Sequence, residues 1–258
     1  MNKKHDYIAV FDSGVGGISV LRQLKKRLPN ERFLYFGDSA NAPYGRCSTA
    51  QVQQLTLAAV EKILQYPVKA LVIACNTATA AAIRLLREKY PDLIVVGIEP
   101  ALKPAADQFP NGRIGIMATD VTLREEKLDA LLHRLGSSAE IVKIPAPGLV
   151  ELVEAGKGES MEAEELLRSV LSPHLDKLDA LVLGCTHYPF AAQTIRKIVG
   201  ENVPLLDGGE GTARETCRRL TEAGLLYDGP GELRWENSLP GERVRKLSQM
   251  LLESELGL

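Results

Sequence analysis

A chain of 258 residues with 45% hydrophobic and 25% charged residues has the composition of a soluble globular protein, with room for two modest domains or one large α/β unit. Its 31 basic and 33 acidic residues leave a net charge of −2, which provides no basic face for nucleic acid or an anionic membrane. A small-molecule partner is the better expectation.

The start of the chain carries no pattern of a targeting segment. Too few residues separate its short basic stretch from Asp12 to form the apolar core of a signal peptide. No apolar run approaches the roughly 20 residues of a transmembrane helix. We therefore expect a cytoplasmic protein, in which four cysteines are reduced rather than bridged.

Short apolar runs alternate with helical patterns along the chain. The runs predict strands at 7–11, 32–36, 70–74, 93–98, 113–117, 140–144, 180–184 and 204–207. Capping boxes are expected at Ser48 with Gln51 and at Thr122 with Glu125, and Gly136 is expected to end a helix. This alternation is typical of an α/β fold in which helices cover mainly parallel sheets.

Two strand ends of the chain recur. "IAVFDSG" at 8–14 is answered by "IGIMATD" at 114–120, and "ALVIAC" at 70–75 by "ALVLGC" at 180–185. The repetition predicts two pseudo-symmetric α/β lobes, residues 1–98 and 99–207, with residues 208–258 returning to cover the first. Because ligands bind beyond the carboxyl ends of parallel strands, one cleft between the lobes should collect the residues at those ends. They are Asp12, Asp38, Cys75, Thr119 and Cys185.

The two recurring thiols, Cys75 and Cys185, are candidate bases. Each follows a strand and opens a helical pattern, where free N–H groups and the helix dipole are expected to lower a thiol pKa. His187 lies two residues beyond Cys185 and is a candidate partner for its proton. A zinc site of Cys75, Cys185 and His187 is an alternative, although the paired spacing of such sites is missing. Cys217 has the spacing of a core residue, and Cys47 has no evident partner.

The glycine-rich stretch "DSGVGG" at 12–17 follows a strand and opens a helix. It predicts a tight substrate loop in which backbone N–H groups cradle an anion and Asp12 holds a charge or a proton. A dinucleotide site is the alternative, with Asp38 as the ribose-binding acid. Ser19 stands at the third glycine position of that motif, which makes it incomplete.

Four motifs together resemble those of bacterial glutamate racemases, over nearly the whole chain: "FDSGVGG", "YFGDSANAPYG", "ACNTAT" and "LGCTHYP". The resemblance implies that the protein interconverts L- and D-glutamate for peptidoglycan synthesis, without pyridoxal phosphate or metal. It leaves a homodimer open.

The resemblance also implies residue roles. Cys75 and Cys185 would be the two acid/base residues, assisted by Asp12 and His187. The residues around the substrate would be Ser13, Pro43, Tyr44, Gly45, Asn76, Thr77, Thr119, Thr122 and Thr186.

A further assisting carboxylate follows a family segment like "CPxFVPLVE", and "APGLVELVEAG" at 146–156 aligns Glu154 with it. Here Ala146 replaces the cysteine and Glu151 the second proline. Glu151 is thus a second acid, one helical turn before Glu154.

Two other functions fit the paired thiols. One is an aspartate racemase or a related two-thiol racemase with a shorter pocket. The other is a redox-sensing or ligand-binding protein, in which Cys75 and Cys185 form a reversible disulfide.

Overall fold

The computed structural model describes residues 3–124 and 138–258, and their strands form two sheets. The strands of the first sheet are β1 (Tyr7–Asp12), β2 (Arg32–Gly37), β3 (Val68–Ile73), β4 (Ile94–Gly97) and β9 (Glu232–Asn237). They lie in the order β4-β3-β1-β2-β9, and every neighbouring pair is parallel. The central strands β1 and β3 are almost wholly buried, as expected for strands covered on both faces.

The second sheet has four strands, again all parallel. They are β5 (Arg113–Ala118), β6 (Glu140–Pro145), β7 (Ala180–Leu183) and β8 (Leu205–Asp207). Their order is β6-β5-β7-β8, so β5 and β7 are central. The fold is therefore α/β with two parallel sheets, as the alternating pattern predicts.

Helices cover both sheets. In the described part of the chain they are α1 (Ile18–Arg27), α2 (Thr49–Ile63), α3 (Asn76–Lys89), α4 (Leu102–Gln108), α5 (Asp120–Arg124), α6 (Leu149–Glu154), α7 (Met161–Leu171), α8 (Ala192–Val199), α9 (Gly209–Glu222) and α10 (Glu242–Glu253). Short 3₁₀ helices lie at Lys3–His5, Ser39–Asn41, Tyr44–Arg46, Ser172–His174 and Tyr188–Ala191.

Apolar side chains alternate between the two faces of the first sheet. Ile8 and Val10 of β1 pack into one core with α1, and Ala9 and Phe11 pack into another with α2 and α3. The first of these cores also takes in Phe190 from the second half of the chain. The two sheet assemblies are thus packed together, and we call them the first and the second lobe.

The C-terminal helices α9 and α10 both contact α1. The strand β9 was not predicted. It is a half-exposed edge strand beside β2 with charged residues in "ELRWEN", so it lacks the apolar run that marks a central strand. The lobe boundaries at residues 98/99 and 207/208 stay predictions.

One of the two capping boxes expected at helix starts is present in the structure. Ser48 and Gln51 form the box that opens α2. The box expected at Thr122 is wrong, because α5 already begins at Asp120 and the N–H of Thr122 donates to Thr119 Oγ1 at 3.4 Å. Glu125 and Gly136 lie outside the described residues.

Candidate active site

The first thiol, Cys75, lies at the end of β3 and caps α3. Its Sγ accepts a hydrogen bond from the N–H of Ala78 at 3.4 Å and donates one to Ser13 Oγ at 3.5 Å. Burial and, to a smaller extent, the charge of Asp12 raise the pKa of this thiol to about 12, while the bonds to Ser13 and Ala78 oppose the rise. The expected lowering of this pKa is therefore wrong, because enclosure of the thiol outweighs the helix terminus.

Asp12, at the end of β1, is fully buried and links the two lobes. Its Oδ1 accepts the N–H of Gly14 at 2.9 Å, and its Oδ2 accepts the hydroxyl of Thr186 at 3.0 Å. Burial raises the pKa of this carboxyl group, although the nearby His187 charge and these hydrogen bonds oppose the rise. One buried carboxylate thus connects the glycine-rich loop with the loop after β7.

The second thiol, Cys185, follows β7 and has a different set of partners. Its Sγ lies 3.8 Å from His187 Nδ1, and His187 Nε2 lies 2.6 Å from Glu154 Oε1. Burial opposes a charged imidazole, but the hydrogen bonds to Cys185 and Glu154 outweigh it and raise the pKa of His187 well above its usual value. The three side chains form a continuous path for a proton, from the thiol to a carboxylate.

The glycine-rich loop allows the lobes to approach closely at this path. A side chain at Gly14 would collide with the Glu154 carboxylate, and one at Gly16 would collide with the His187 ring. The N–H of Val15 donates to Glu154 Oε1 at 2.8 Å, so a loop of the first lobe holds an acid of the second. The loop therefore contacts a side-chain carboxylate of this chain, and its expected contact with a substrate stays a prediction.

The two thiols face one cleft. The charge of Cys185 is close enough to raise the pKa of Cys75, and both residues are buried. The equivalent ends of β3 and β7 thus place one thiol from each lobe in the same site. Of the strand-end residues, Asp38 differs, because its oxygens accept hydrogen bonds from Tyr44 Oη at 2.6 Å and from the amide of Asn41.

Three threonine hydroxyls join the lobes on another side of the site. Thr77 of α3 lies 3.1 Å from Thr119 and 3.3 Å from Thr122, and the latter two are 3.1 Å apart. Beside them, the buried Oδ1 of Asn76 has no hydrogen-bond partner. A buried acceptor of this kind is costly to leave unpaired.

Comparisons with known proteins identify the family of the chain. Residues 16–216 match the family model described as Asp/Glu/hydantoin racemase. The chain is 48% identical over 256 residues to a glutamate racemase from Clostridium acetobutylicum, a match that covers 98% of this chain and 100% of the relative.

Solved structures match it as well. A glutamate racemase isoform from Bacillus anthracis superposes with a TM-score of 0.88 at 32% identity, over 98% of this chain and 96% of that one. A glutamate racemase from Francisella tularensis in complex with D-glutamate gives 0.85 at 30% identity, over 98% and 96%. The chain belongs to the Asp/Glu/hydantoin racemase family. It is an isomerase.

In this racemase the loop of Pro43, Tyr44 and Gly45 lies between the lobes. Tyr44 is buried, and its hydroxyl donates a hydrogen bond to Asp38 Oδ2 at 2.6 Å. Gly45 packs on the second lobe, because a Cβ atom there would lie 2.8 Å from the Cβ of Thr119. The loop is thus held by contacts with both lobes.

The two candidate acids on α6 of the racemase have separate partners. Glu154 contacts His187 and the N–H of Val15, whereas Glu151 forms an ion pair with Arg46. The geometry therefore favours Glu154 as the acid that interacts with the second thiol.

Two residues that support the site have only weak signals in the sequence. The Ser19 hydroxyl donates to the backbone oxygens of Gly16 and Thr186 at 2.9 and 3.0 Å, which ties α1 to the loop after β7. The Tyr35 hydroxyl donates to the oxygen of Gly14 at 2.7 Å. In the sequence, Ser19 differs from its surroundings only as the residue at the third glycine position of a dinucleotide-binding motif. Tyr35 has the pattern of an ordinary strand residue.

Residues 3–124 and 138–258 of the racemase contain neither a candidate metal site nor a candidate membrane-spanning helix. These residues contain no group of three His, Cys, Asp or Glu side chains placed to hold a metal ion. None of their helices combines the length and the hydropathy that crossing a bilayer requires.

Proposed function

We propose that this racemase interconverts L- and D-glutamate by moving the Cα proton between Cys75 and Cys185. The observation that carries the proposal is the pair of buried thiols, one from each lobe, at the ends of β3 and β7. Racemisation removes a proton from one face of Cα and returns one to the other, which two opposed bases accomplish without turning the substrate.

The two thiols have different surroundings. Cys75 has a pKa of about 12 and is a thiol at neutral pH. Cys185 lies beside His187, whose Nδ1 is placed to exchange a proton with its Sγ. For one hand of glutamate the Cα–H faces Cys185, and for the other hand it faces Cys75.

When the Cα–H faces Cys185, the Cys185 thiolate removes the Cα proton and becomes a thiol. The resulting carbanion takes a proton from the Cys75 thiol on its opposite face, which leaves Cys75 as a thiolate. The high pKa of Cys75 makes that thiolate a strong base for the reverse direction, and the charge of Asp12 contributes to its basicity. Each turnover therefore exchanges the roles of the two thiols.

The carbanion needs its added charge held by preorganised donors. The N-terminal end of α3, which Cys75 caps, provides free N–H groups, and the hydroxyls of Ser13 and Thr77 lie on the same side. The unpartnered Asn76 Oδ1 suits the substrate ammonium. The threonine cluster of Thr77, Thr119 and Thr122 suits a carboxylate, since each hydroxyl can turn its proton toward an anion.

Glutamate is the proposed substrate because the chain resembles glutamate racemases over its full length, and the related structure from Francisella tularensis is a complex with D-glutamate. D-Glutamate would then supply peptidoglycan synthesis in the cytoplasm. We propose no cofactor, since the thiols and their partners account for the proton transfer.

The test is racemisation itself, followed by circular dichroism from pure L- and pure D-glutamate without added cofactor. The ellipticity of both solutions should converge on zero as each becomes racemic. Parallel assays with D- and L-aspartate distinguish a glutamate racemase from the alternative, an aspartate racemase. Turnover of aspartate above that of glutamate, or no turnover of glutamate, would overturn the proposal.

A further inference from the structure

One ion pair spans the lobes beside the candidate active site. Arg46 ends the 3₁₀ turn Tyr44–Arg46 of the first lobe, and its guanidinium contacts the carboxylate of Glu151 on α6 of the second. Arg46 directly follows the loop of Pro43, Tyr44 and Gly45. Glu151 lies one helical turn before Glu154. The pair therefore connects the two segments that lie on either side of the cleft.

The loop that carries Arg46 is seated on the second lobe at two points. Gly45 packs against Thr119, where an added Cβ would come within 2.8 Å. The ion pair of Arg46 with Glu151 is the second point, on another element of the same lobe. Two contacts on different elements restrict rotation of the loop, which one contact would permit.

We propose that Arg46 and Glu151 are positioning residues that latch the lobes in the closed arrangement. The latch rests on the proposed function, because its purpose is to keep the cleft closed around the amino acid and α6 in register with His187. Glu151 thereby acquires a role distinct from that of Glu154.

Both side chains reach solvent, with exposed fractions of 71% for Arg46 and 34% for Glu151. An exposed pair of this kind shifts an equilibrium by about two- to fivefold, and salt screens it. A smaller closed population lowers the apparent affinity for substrate in the same proportion. Loss of the latch should therefore raise KM by up to about fivefold and leave kcat nearly unchanged.

Simple attraction of an anionic substrate predicts a different result. Removing the positive charge of Arg46 would then raise KM, whereas removing the negative charge of Glu151 would lower it. If the ion pair is a latch, removing either charge breaks the same contact and has the same effect. Arg46→Gln and Glu151→Gln should thus raise KM in the same direction and by similar factors.

The experiment measures KM and kcat for both variants and for the double variant Arg46→Glu with Glu151→Arg, at low and high salt. The exchanged pair should restore KM to within twofold of the unmodified enzyme, while Arg46→Glu alone should not. Arg218→Gln is the matched control, because Arg218 pairs with Glu222 within α9 and cannot join the lobes. Opposite shifts of KM in Arg46→Gln and Glu151→Gln, or no restoration by the exchange, would overturn the latch.

A second readout does not depend on the substrate. Alkylation of Cys75 and Cys185, which are 4% and 7% exposed, should quicken by up to about fivefold in both single variants, with the half-buried Cys217 as internal reference. The factors by which KM and the alkylation rate rise should multiply to about two- to fivefold, and a product near one would overturn the latch. An unmodified enzyme that does not racemise glutamate would overturn the proposed function, while alkylation would still report on the latch.

Discussion

Replacing Glu154 by glutamine tests the proton path behind Cys185 with little change of shape. Glu154 Oε1 accepts hydrogen bonds from both His187 Nε2 at 2.6 Å and the N–H of Val15 at 2.8 Å. The amide oxygen of glutamine can accept both bonds, so the variant removes charge and keeps the contacts. The imidazolium of His187 then loses the carboxylate that supports its positive charge.

The size of the effect follows from the kind of bond. Hydrogen bonds to charged groups contribute about 1.5–3 kcal/mol, against about 0.5–1.5 kcal/mol for neutral ones. The difference of about 1–2 kcal/mol should lower the pKa of His187 by about one unit and kcat by about five- to thirtyfold. Since a raised pKa keeps the imidazole charged to higher pH, its loss should move the alkaline limb of the kcat profile to lower pH.

The assay is racemisation from each enantiomer across the pH range, with Glu151→Gln as the matched control on the same helix. Glu151 pairs with Arg46 and not with His187, so Glu151→Gln should have the kcat and the pH profile of the unmodified enzyme. The reasoning would be refuted by a kcat for Glu154→Gln within twofold of the unmodified enzyme. A larger loss of kcat in Glu151→Gln would move the assisting role by one helical turn.

Three further predictions follow from the two-thiol scheme. Cys75→Ala and Cys185→Ala should each abolish racemisation with an unchanged far-ultraviolet circular dichroism spectrum, and near-normal turnover in either would contradict two bases. Asp12→Asn should lower kcat more than it raises KM, because its charge tunes Cys75; a pure KM effect would assign Asp12 to binding. In deuterated water, early D-glutamate formed from L-glutamate should carry deuterium at Cα while residual L-glutamate stays largely unlabelled, as proton magnetic resonance would report. Retention of the original hydrogen would indicate a single mobile base.

The sequence by itself determined the α/β class, the central strands and the two equivalent thiols. These features are local: a buried parallel strand is a short apolar run, and a residue at its carboxyl end can be named from where the run stops. The repeat of "ALVIAC" as "ALVLGC" even indicated that the thiols belong to separate lobes. The sequence did not reveal the edge strand β9, because that strand is partly exposed and contains several charged residues.

Only the tertiary structure decided which neighbours each thiol meets. Position at a helix terminus predicts a lower pKa for Cys75, yet burial of the thiol raises that pKa to about 12. The motif leaves Glu154 and Glu151 as alternatives, whereas the fold directs one to His187 and the other to Arg46. Burial and pairing depend on atoms more than a hundred residues apart, as between Val15 and Glu154, and a pattern of local spacing carries no information about such contacts.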